Sequence, residues 1–373
     1  MAECPMAVDI ITNDLTNDTL FIDHNASLFL YSKDVELESD IHQLKFLGYG
    51  VIGSVVIGLG ILGNLINLVV LTRPNLKGVT FVYLTWLATS DLMTLLVSAT
   101  SLLRLHGIQP RSFAVSLYYS YVELALVNAF MASSVFLVVA LTIDRYFSIC
   151  LPTRYKEVHN DLRARRSIIA AYVLAFCIYV PICFQKEPIA VQNDRNETVF
   201  IACENQAVFN HTGFRFYLLV KEIIVRIGPV ILLAIMNTAI IVTFRKTVRK
   251  RRELLNSSNS NYSQKESTRK FREERRLVVL LGGIVILFFV CMTPAAILTL
   301  LNSDHRELDF GFQLFRAIAN VLELANFAMN FYVYCLCSTE IRRTFLRLFG
   351  CIRTQLPEQS YVSRPSAESS TKM

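Results

Sequence analysis

Seven apolar stretches, each roughly as long as the 20 residues that a membrane-spanning helix needs, are spaced along this chain. Two of them, 51–71 and 277–292, are apolar on all sides of a helix, whereas helices of soluble proteins keep a polar face. The composition agrees, because 53% of the residues are hydrophobic and only 18% are charged. The sequence therefore predicts an all-α membrane protein with a seven-transmembrane helix bundle, and it argues against a soluble helical domain.

The predicted spans divide the chain into a membrane domain, two tails and a surface segment. The spans cover about residues 46–72, 79–105, 116–150, 165–184, 214–244, 276–301 and 312–336, within one domain, 45–337. Residues 1–44 precede this domain, and 351–373 follow it as a disordered tail. Between the domain and this last tail, residues 338–350 are basic and amphipathic, which predicts a short eighth helix on the membrane surface.

Positive charges are concentrated on one side of the predicted bundle. Of the 37 lysines and arginines, 26 lie in the loops and the tail of that side. Because cytoplasmic loops carry such an excess, we expect a multi-pass protein of the plasma membrane with its N-terminus outside and its C-terminus in the cytoplasm. The net charge of +7 is then a signal of orientation and not a surface for nucleic acid. No basic segment followed by an apolar one opens the chain, so we expect no cleavable signal peptide.

The N-terminal tail, 1–44, is acidic and carries acceptor sites for glycans. It contains nine Asp and Glu residues and only one lysine, Lys33, and this excess of negative charge is typical of a solvated, disordered leader. Sequons predict glycans at four asparagines, two in this tail and two between spans four and five: Asn17, Asn25, Asn196 and Asn210. All four lie on the predicted extracellular side. An alternative role for the acidic tail is to steer basic ligands toward a pocket.

Cysteine placement leaves the covalent links open. Of the nine cysteines, Cys4, Cys183 and Cys203 are placed to meet an oxidising exterior. Their pairing cannot be deduced from spacing. On the opposite side, Cys351 follows the amphipathic segment and is a candidate for palmitoylation at the membrane surface, with an unmodified thiol as the alternative.

One face of span three carries polar residues at intervals of eleven. Glu123, Ser134 and Arg145 have this spacing, and residues eleven apart lie on nearly the same side of a helix, about 16 Å apart along its axis. The stripe runs from the outer third of the membrane to its cytoplasmic side. It predicts a helix that couples an outer site to an inner one.

Short motifs lie in order along six of the spans. They are Gly63-Asn64, 87–92, Asp144-Arg145-Tyr146 with Pro152, Pro229, 288–294 and 330–334. In this order they resemble the rhodopsin-like family of G-protein-coupled receptors. The resemblance implies a receptor, not an enzyme, that binds an extracellular ligand and activates a heterotrimeric G protein by outward movement of span six. Serines and threonines of the last tail are candidates for a receptor kinase and for arrestin, and the basic loops suit membrane lipids.

The resemblance assigns one group of residues to the activation switch and to G-protein coupling: Asp144, Arg145, Tyr146, Glu274, Phe288, Pro294, Asn330 and Tyr334. It implies that Glu274 clasps Arg145 in the resting state, and the alternative is that Glu274 only balances the neighbouring arginines. Pro294 removes a backbone hydrogen bond and bends span six. Phe288, on the cytoplasmic side of this bend, is either a rotating core aromatic or an ordinary packing residue.

Asp91 lies in the middle of span two, where an unpaired carboxylate is costly. Together with Ser134, Asn326 and Asn330 it resembles the sodium site of the family, so an allosteric Na⁺ is the one ion that we consider. No other cofactor is expected. The alternative is a hydrogen-bonded polar cluster without an ion.

Candidate ligand-binding residues lie in the outer halves of the spans: Glu123, Val127, Lys221, Glu222, Arg226, Met292, Arg316 and Glu323. Their mixed charges suit a short peptide, although Glu222 and Arg226 are four residues apart and the alternative is that they only satisfy each other. Val127 stands where aminergic members of the family carry an aspartate, which argues against a monoamine ligand. Asn237 and Asn330-Phe331 resemble the neuropeptide branch that includes FMRFamide-type receptors.

Some positions depart from the pattern of the family. Ser120 stands where span three usually begins with a cysteine, so Cys203 lacks its usual partner. Either a disulfide to Cys4 or Cys183 holds the loop between spans four and five instead, or no disulfide holds this loop. Met292 replaces a tryptophan of span six, and Phe331 replaces a proline of span seven. These departures bear on the activation pathway and not on the fold.

Other classes of protein fit the sequence less well. A seven-span transporter often shows internal repeats, and the spans show none. A membrane enzyme needs a cluster of metal ligands or a nucleophile, and the six histidines are scattered through tails and loops. A receptor of the same fold for a non-peptide ligand is the remaining alternative.

Overall fold

The computed structural model describes residues 37, 39–74, 76, 78–105, 112–151, 161–192, 198–257, 261–301 and 309–350. For 104–105, 251–252, 254–257, 261–274, 277 and 300, only the helical backbone is described. The chain in these ranges is helical, apart from one β-hairpin and short connections.

Seven long helices follow one another along the chain. They are α1 (Ser39–Leu71), α2 (Val79–Leu105), α3 (Phe113–Cys150), α4 (Asp161–Phe184), α5 (Thr212–Glu222, Ile223–Ile227 and Gly228–Ser257), α6 (Asn261–Leu301) and α7 (Phe310–Ala328 and Asn330–Cys337). A short amphipathic helix, α8 (Thr339–Leu348), comes next. Wider π-helical turns interrupt three of the long helices: Phe46–Gly53 in α1, Tyr118–Val122 in α3 and Ile223–Ile227 in α5.

The bundle exposes large apolar side chains on its outside and keeps its buried polar side chains inside, which is the pattern of a protein surrounded by lipid. Ile169, Ile235 and Ile286 point outward and are 62%, 63% and 66% exposed, whereas Asn64 and Asp91 are fully buried. Helices α1 to α6 are each long and apolar enough to cross a membrane. The predicted fold class, a membrane-spanning helix bundle, is confirmed.

Helix α7 buries several polar side chains. It packs beside α1 and α6, but Gln313, Glu323 and Asn326 occupy its buried face. The helix is also interrupted at Met329, between its two parts. For these reasons α7 is not recognised as a membrane span by its length and composition. The sequence nevertheless predicts a seventh span there.

A two-stranded antiparallel sheet, which the predicted all-helical fold does not include, lies between α4 and α5. Strand β1 (Lys186–Gln192) pairs with β2 (Thr198–Glu204) over seven residue pairs, from Lys186 opposite Glu204 to Gln192 opposite Thr198. Phe200 of β2 packs edge-on against Phe113 of α3, with ring centroids 5.1 Å apart. We call this end of the bundle the hairpin end, and the opposite end, where α3 reaches Arg145, the Arg145 end.

Several helices are longer than their predicted spans. Helix α4 begins at Asp161 and not at 165, α5 continues to Ser257, and α6 begins at Asn261 and not at 276. The spans were delimited by apolarity, whereas a helix continues into water as long as its backbone hydrogen bonds are kept. The predicted amphipathic segment, 338–350, matches α8, which Ser338 caps and whose Ile341 is fully buried against the bundle.

Candidate functional site

Three polar side chains of α3 face the interior of the bundle at successive depths. Glu123, Ser134 and Arg145 are 3%, 2% and 7% exposed. Glu123 lies nearest the hairpin end, Ser134 in the middle and Arg145 at the opposite end of one continuous helix. Each accepts or donates hydrogen bonds to a polar side chain nearby, so α3 connects three separate polar clusters.

At the Arg145 end, the guanidinium is paired with its sequence neighbour and covered by α6. Arg145 Nη2 lies 2.5 Å from Asp144 Oδ2, and Arg145 Nε donates to the same oxygen at 3.1 Å. With Arg145, the side chains of Leu280, Leu281 and Ile284 line a cavity of about 10 Å³, no more space than one water molecule needs. Helix α6 therefore closes over Arg145 in this structure.

The other predicted switch residues lie near this closed end or in the core. Glu274 belongs to α6, but its side chain is outside the described residues, so its clasp on Arg145 stays a prediction. The ring of Tyr146 meets Phe147 edge-on at 6.1 Å. Tyr334 is fully buried, and its hydroxyl has no hydrogen-bond partner among the described residues.

The middle of α6 holds its predicted bend and its core side chains. Pro294 lies inside the helix, and Phe288 and Met292 are buried at 1% and 2% exposure. The ring of Phe288 lies edge-on to Phe289 at 6.4 Å. This position is compatible with a rotating aromatic and with ordinary packing alike.

The Asp91 carboxylate is engaged on both oxygens. Ser134 Oγ donates to Oδ1 at 2.5 Å, and Asn330 Nδ2 donates to Oδ2 at 2.6 Å. Asp91 belongs to α2 and is fully buried, with these partners on α3 and α7. Asn326 is buried on α7, but within the described part of the chain it contributes no hydrogen bond to this carboxylate.

In this structure Ser134 and Asn330 form a hydrogen-bonded polar cluster around Asp91, and the sodium site stays a prediction. A hard cation needs oxygen ligands, and Asn330 presents its amide N–H to Asp91 here, whereas the Asp91 carboxylate and the Ser134 hydroxyl oxygen both keep lone pairs that can bind a cation. We derive no step through a cation here.

At the hairpin end, Arg226 joins three helices through one guanidinium. Its Nη1 donates to Glu222 Oε2 at 3.0 Å and to Thr299 Oγ1 at 2.9 Å. Its Nη2 donates to Glu323 Oε1 at 2.8 Å. Glu222 precedes it on α5, Thr299 belongs to α6 and Glu323 to α7. The predicted pair of Glu222 and Arg226 does form, and it is one part of a larger network.

Lys221 completes this network of four charges. Its Nζ lies 2.8 Å from Glu222 Oε1 and 5.5 Å from the centroid of the Tyr179 ring on α4. Lys221, Glu222, Arg226 and Glu323 thus balance two cations with two carboxylates. We call these four residues the charge cluster. They are 10–21% exposed at the side chain, so water screens them only in part.

The remaining predicted ligand residues do not join the charge cluster. Glu123 accepts from Ser101 Oγ at 2.6 Å and from Thr100 Oγ1 at 3.2 Å, which ties α3 to α2. Arg316 lies on α7, within electrostatic range of Tyr49 on α1. Val127 is half-buried on α3. The structure therefore divides the predicted ligand residues into separate groups along the hairpin end.

The structure decides one of the predictions about disulfide pairing. Cys203 of β2 is in a disulfide, and Cys183 is a free thiol, so the alternative that Cys183 is its partner is wrong. The sequence allowed Cys183 because it adjoins the same loop, but it lies at the end of α4 and remains unpaired. Cys4, the other candidate, lies outside the described residues.

Of the predicted modification sites, Asn210 is described. It is exposed and ends the one-turn helix Gln206–Phe209. Asn17, Asn25, Asn196 and Cys351 lie outside the described residues, and so do the C-terminal tail, 351–373, and most of the N-terminal tail. The sequence predicts a disordered N-terminal tail up to residue 44, but residues 39–44 form the start of α1, where Ile41 is buried.

Comparison with known proteins identifies the family. A family model described as 7 transmembrane receptor (rhodopsin family) matches residues 63–337. Two probable G-protein coupled receptors of Caenorhabditis elegans, B0563.6 and AH9.1, are 32% and 30% identical over 80% and 93% of this chain and 68% and 87% of their own lengths. The chain belongs to the rhodopsin family of seven-transmembrane receptors. A distant relative of this receptor, the growth hormone secretagogue receptor type 1 of Oryctolagus cuniculus, is 35% identical over 126 residues, 33% of each chain.

Family membership fixes the broad function. The receptor is a multi-pass membrane protein that binds a ligand and couples to a heterotrimeric G protein, and it is not an enzyme. The structure also accounts for one departure of the receptor from the family pattern. Phe331, in place of a proline, packs edge-on against Phe345 of α8 at 5.5 Å and lies against Gly63 of α1, so it fills the space between these helices.

Sequence reasoning missed several polar residues of the receptor. Thr299 and Ser101 contact Arg226 and Glu123, which lie 73 and 22 residues away along the chain. Both residues carry a hydroxyl group in an apolar helix, where such groups tend to hydrogen-bond to a neighbouring helix. This tendency is the one sequence signal that could have identified them. Their partners depend on how the helices are rotated, which the periodicity of one segment does not give.

Proposed function

We propose that this receptor is activated by a short peptide that binds at the hairpin end, and that it passes the signal to the G protein at the Arg145 end. The charge cluster carries the proposal. Its four groups of both signs are partly buried within the bundle, between α4, α5 and α7. A ligand that engages these groups must replace their present partners, so it must offer both a cation and an anion or strong acceptor.

A peptide meets this requirement with a basic side chain and its backbone carbonyls. The similarity to the growth hormone secretagogue receptor supports a peptide ligand as well. A monoamine offers only a cation, and Val127 provides no carboxylate at the position where aminergic receptors bind one. Assignment to the FMRFamide-type branch stays a prediction that rests on Asn237 and Asn330-Phe331.

The proposal places the hairpin end outside the cell and the Arg145 end in the cytoplasm of a plasma-membrane protein. The distribution of lysine and arginine supports this orientation. The exposed sequon at Asn210, next to the hairpin, also suits the outside. Receptor kinase and arrestin remain proposed partners of the C-terminal tail, 351–373.

At the Arg145 end, the closed packing of α6 supports a resting state. Arg145 is buried, and the space beside it holds at most one water molecule. An acidic or helical segment of a G protein reaches Arg145 only after α6 moves outward. Ligand binding then acts by favouring the open bundle over the closed one through a difference in affinity.

Gly283 and Gly282 of α6 provide a matched pair for testing this closed packing. A Cβ at Gly283 would lie 2.8 Å from Cys337 Sγ and 3.0 Å from Val333 Cγ1 of α7, whereas a Cβ at Gly282 meets open space. We expect Gly283→Leu to raise ligand-independent G-protein activation about fivefold or more, because overpacking disfavours the closed bundle by about 1–3 kcal/mol. Signalling per receptor at the cell surface is the measurement. Equal signalling by Gly283→Leu and Gly282→Leu would contradict the closed-state account.

A screen on cells that express the receptor tests the ligand class. A peptide library, a set of monoamines and a set of lipids are applied in parallel, and calcium, cAMP and arrestin recruitment are recorded together. We expect at least one peptide to act and the monoamines to be silent. A receptor that answers monoamines or lipids but no peptide refutes the proposed ligand while leaving the family assignment intact.

A further inference from the structure

Arg226 occupies a position where α5, α6 and α7 meet. The residue sits in the π-helical turn Ile223–Ile227 of α5, five residues after Lys221 and three before Pro229. A partner on the same helix, Glu222, cannot by itself hold helices together. The bonds to Thr299 Oγ1 at 2.9 Å and to Glu323 Oε1 at 2.8 Å can, because each crosses to another helix.

Burial makes these bonds stronger than a pair of charges on a surface. The side chains of Arg226 and Glu323 are 21% and 10% exposed. Exposed ion pairs contribute little to stability, whereas removal of one partner of a largely buried pair leaves a charge without compensation. The second oxygen of Glu222 is taken by Lys221, so each carboxylate of the charge cluster has a cation beside it.

The position of Thr299 gives the network a mechanical consequence. Thr299 lies five residues beyond Pro294, on the side of the bend that faces the hairpin end. Proline removes a backbone hydrogen bond, which lets the two arms of a helix move relative to each other. Thr299 also donates to Ala295 O of its own helix at 3.1 Å, so its hydroxyl is fixed when Arg226 Nη1 reaches it.

We propose that Arg226 is a latch that holds the hairpin-end arm of α6 between α5 and α7 in the ligand-free receptor. It is a positioning residue of the resting state, and Thr299 and Glu323 are the two points at which it holds the neighbouring helices. The signalling side of the latch rests on the proposed function. Its structural side, a coupling between Arg226 and Glu323, does not.

A charge-swap experiment tests the structural side. Arg226→Glu and Glu323→Arg each place like charges together, so each single variant in detergent is expected to unfold about 5 °C or more below the full-length wild type. The double variant Arg226→Glu/Glu323→Arg restores opposite charges across α5 and α7, and we expect it to regain part of that loss, since the new carboxylate on α5 still lies beside Glu222. A double variant that unfolds lower still, by the sum of the two single effects, overturns the latch whether or not any peptide activates the receptor.

A milder substitution tests the resting-state role, because the charge variants risk poor folding. Thr299→Val keeps the shape of the side chain but removes the hydroxyl that Arg226 reaches. Thr238→Val is the matched control, since Thr238 is exposed and, among the described residues, its hydroxyl bonds only to Ala234 O of its own helix, at 2.8 Å. We expect ligand-free signalling per surface receptor to rise about fivefold in Thr299→Val and to stay at the wild-type level in Thr238→Val. Wild-type signalling in Thr299→Val overturns the latch as a resting-state device.

Discussion

Gly60→Leu is expected to remove most of the receptor from the cell surface, whereas Gly58→Leu on the same helix is expected to leave it near the wild-type level. A Cβ at Gly60 would lie 2.6 Å from Leu95 Cδ1, 2.7 Å from Ala328 Cβ and 2.9 Å from Ala328 Cα. The last of these atoms belongs to the backbone of α7 and cannot rotate away. A Cβ at Gly58 meets nothing within 4 Å.

The size of this effect follows from overpacking. Forcing larger side chains into a packed interface costs about 1–3 kcal/mol, and contact with the backbone places Gly60 at or beyond the upper value. A loss of this size lowers the amount of folded protein in cells several-fold. Surface labelling of Gly58→Leu, Gly60→Ala and Gly60→Leu measures it, and the expected order is a steady fall along this series. Full surface expression of Gly60→Leu means that α1 and α7 do not approach through Gly60.

Asp91→Leu is expected to cause the second large loss, this time in the thermal stability of the purified receptor. The substitution leaves the Ser134 hydroxyl and the Asn330 amide without their buried acceptor. Each buried polar group left without a partner costs about 1–3 kcal/mol, so the loss reaches several kcal/mol. Asp91→Asn keeps one acceptor and one donor, with which it can satisfy both neighbours, and we expect it to retain most of the stability.

Controls separate this effect from burial in general and from sodium binding. Thr94 is fully buried on the same helix, and within the described part of the chain its hydroxyl bonds only to Ser90 O, at 3.0 Å, so Thr94→Val is expected to cost far less. The hydrogen-bonded cluster predicts equal unfolding temperatures of the wild type in sodium and choline chloride. A clear stabilisation by sodium that Asp91→Asn abolishes contradicts this account and restores the sodium site.

The features that sequence predicts best are those set within one helix. The eleven-residue spacing of Glu123, Ser134 and Arg145 places them on one side of α3 whatever surrounds it, and the structure buries all three. The i,i+4 spacing of Glu222 and Arg226 likewise predicts their ion pair, which forms at 3.0 Å. Apolar runs locate the long helices for the same local reason, although not their polar ends.

Features that depend on neighbouring helices could not be predicted from the sequence. Arg226 meets Glu323 and Thr299 because of the rotation of three helices, and it lies within a π-helical turn of α5 that the sequence does not reveal. The β-hairpin depends on pairing of Lys186–Gln192 with Thr198–Glu204. Thr198–Glu204 begins with four residues that favour strands, but its partner segment contains Pro188 and gives no clear strand signal. The exclusion of Cys183 as a disulfide partner also needed its surroundings in the fold.

The central claim is that a peptide at the hairpin end controls nucleotide exchange on a G protein at the Arg145 end. Purified receptor in lipid nanodiscs, mixed with each class of heterotrimeric G protein, measures this exchange with and without a peptide from the screen. The account predicts that the peptide accelerates exchange on at least one class, and that Arg145→Ala abolishes the acceleration while peptide binding persists. Saturating peptide that leaves exchange unchanged on every class, or an Arg145→Ala variant that responds as the wild type does, would contradict it.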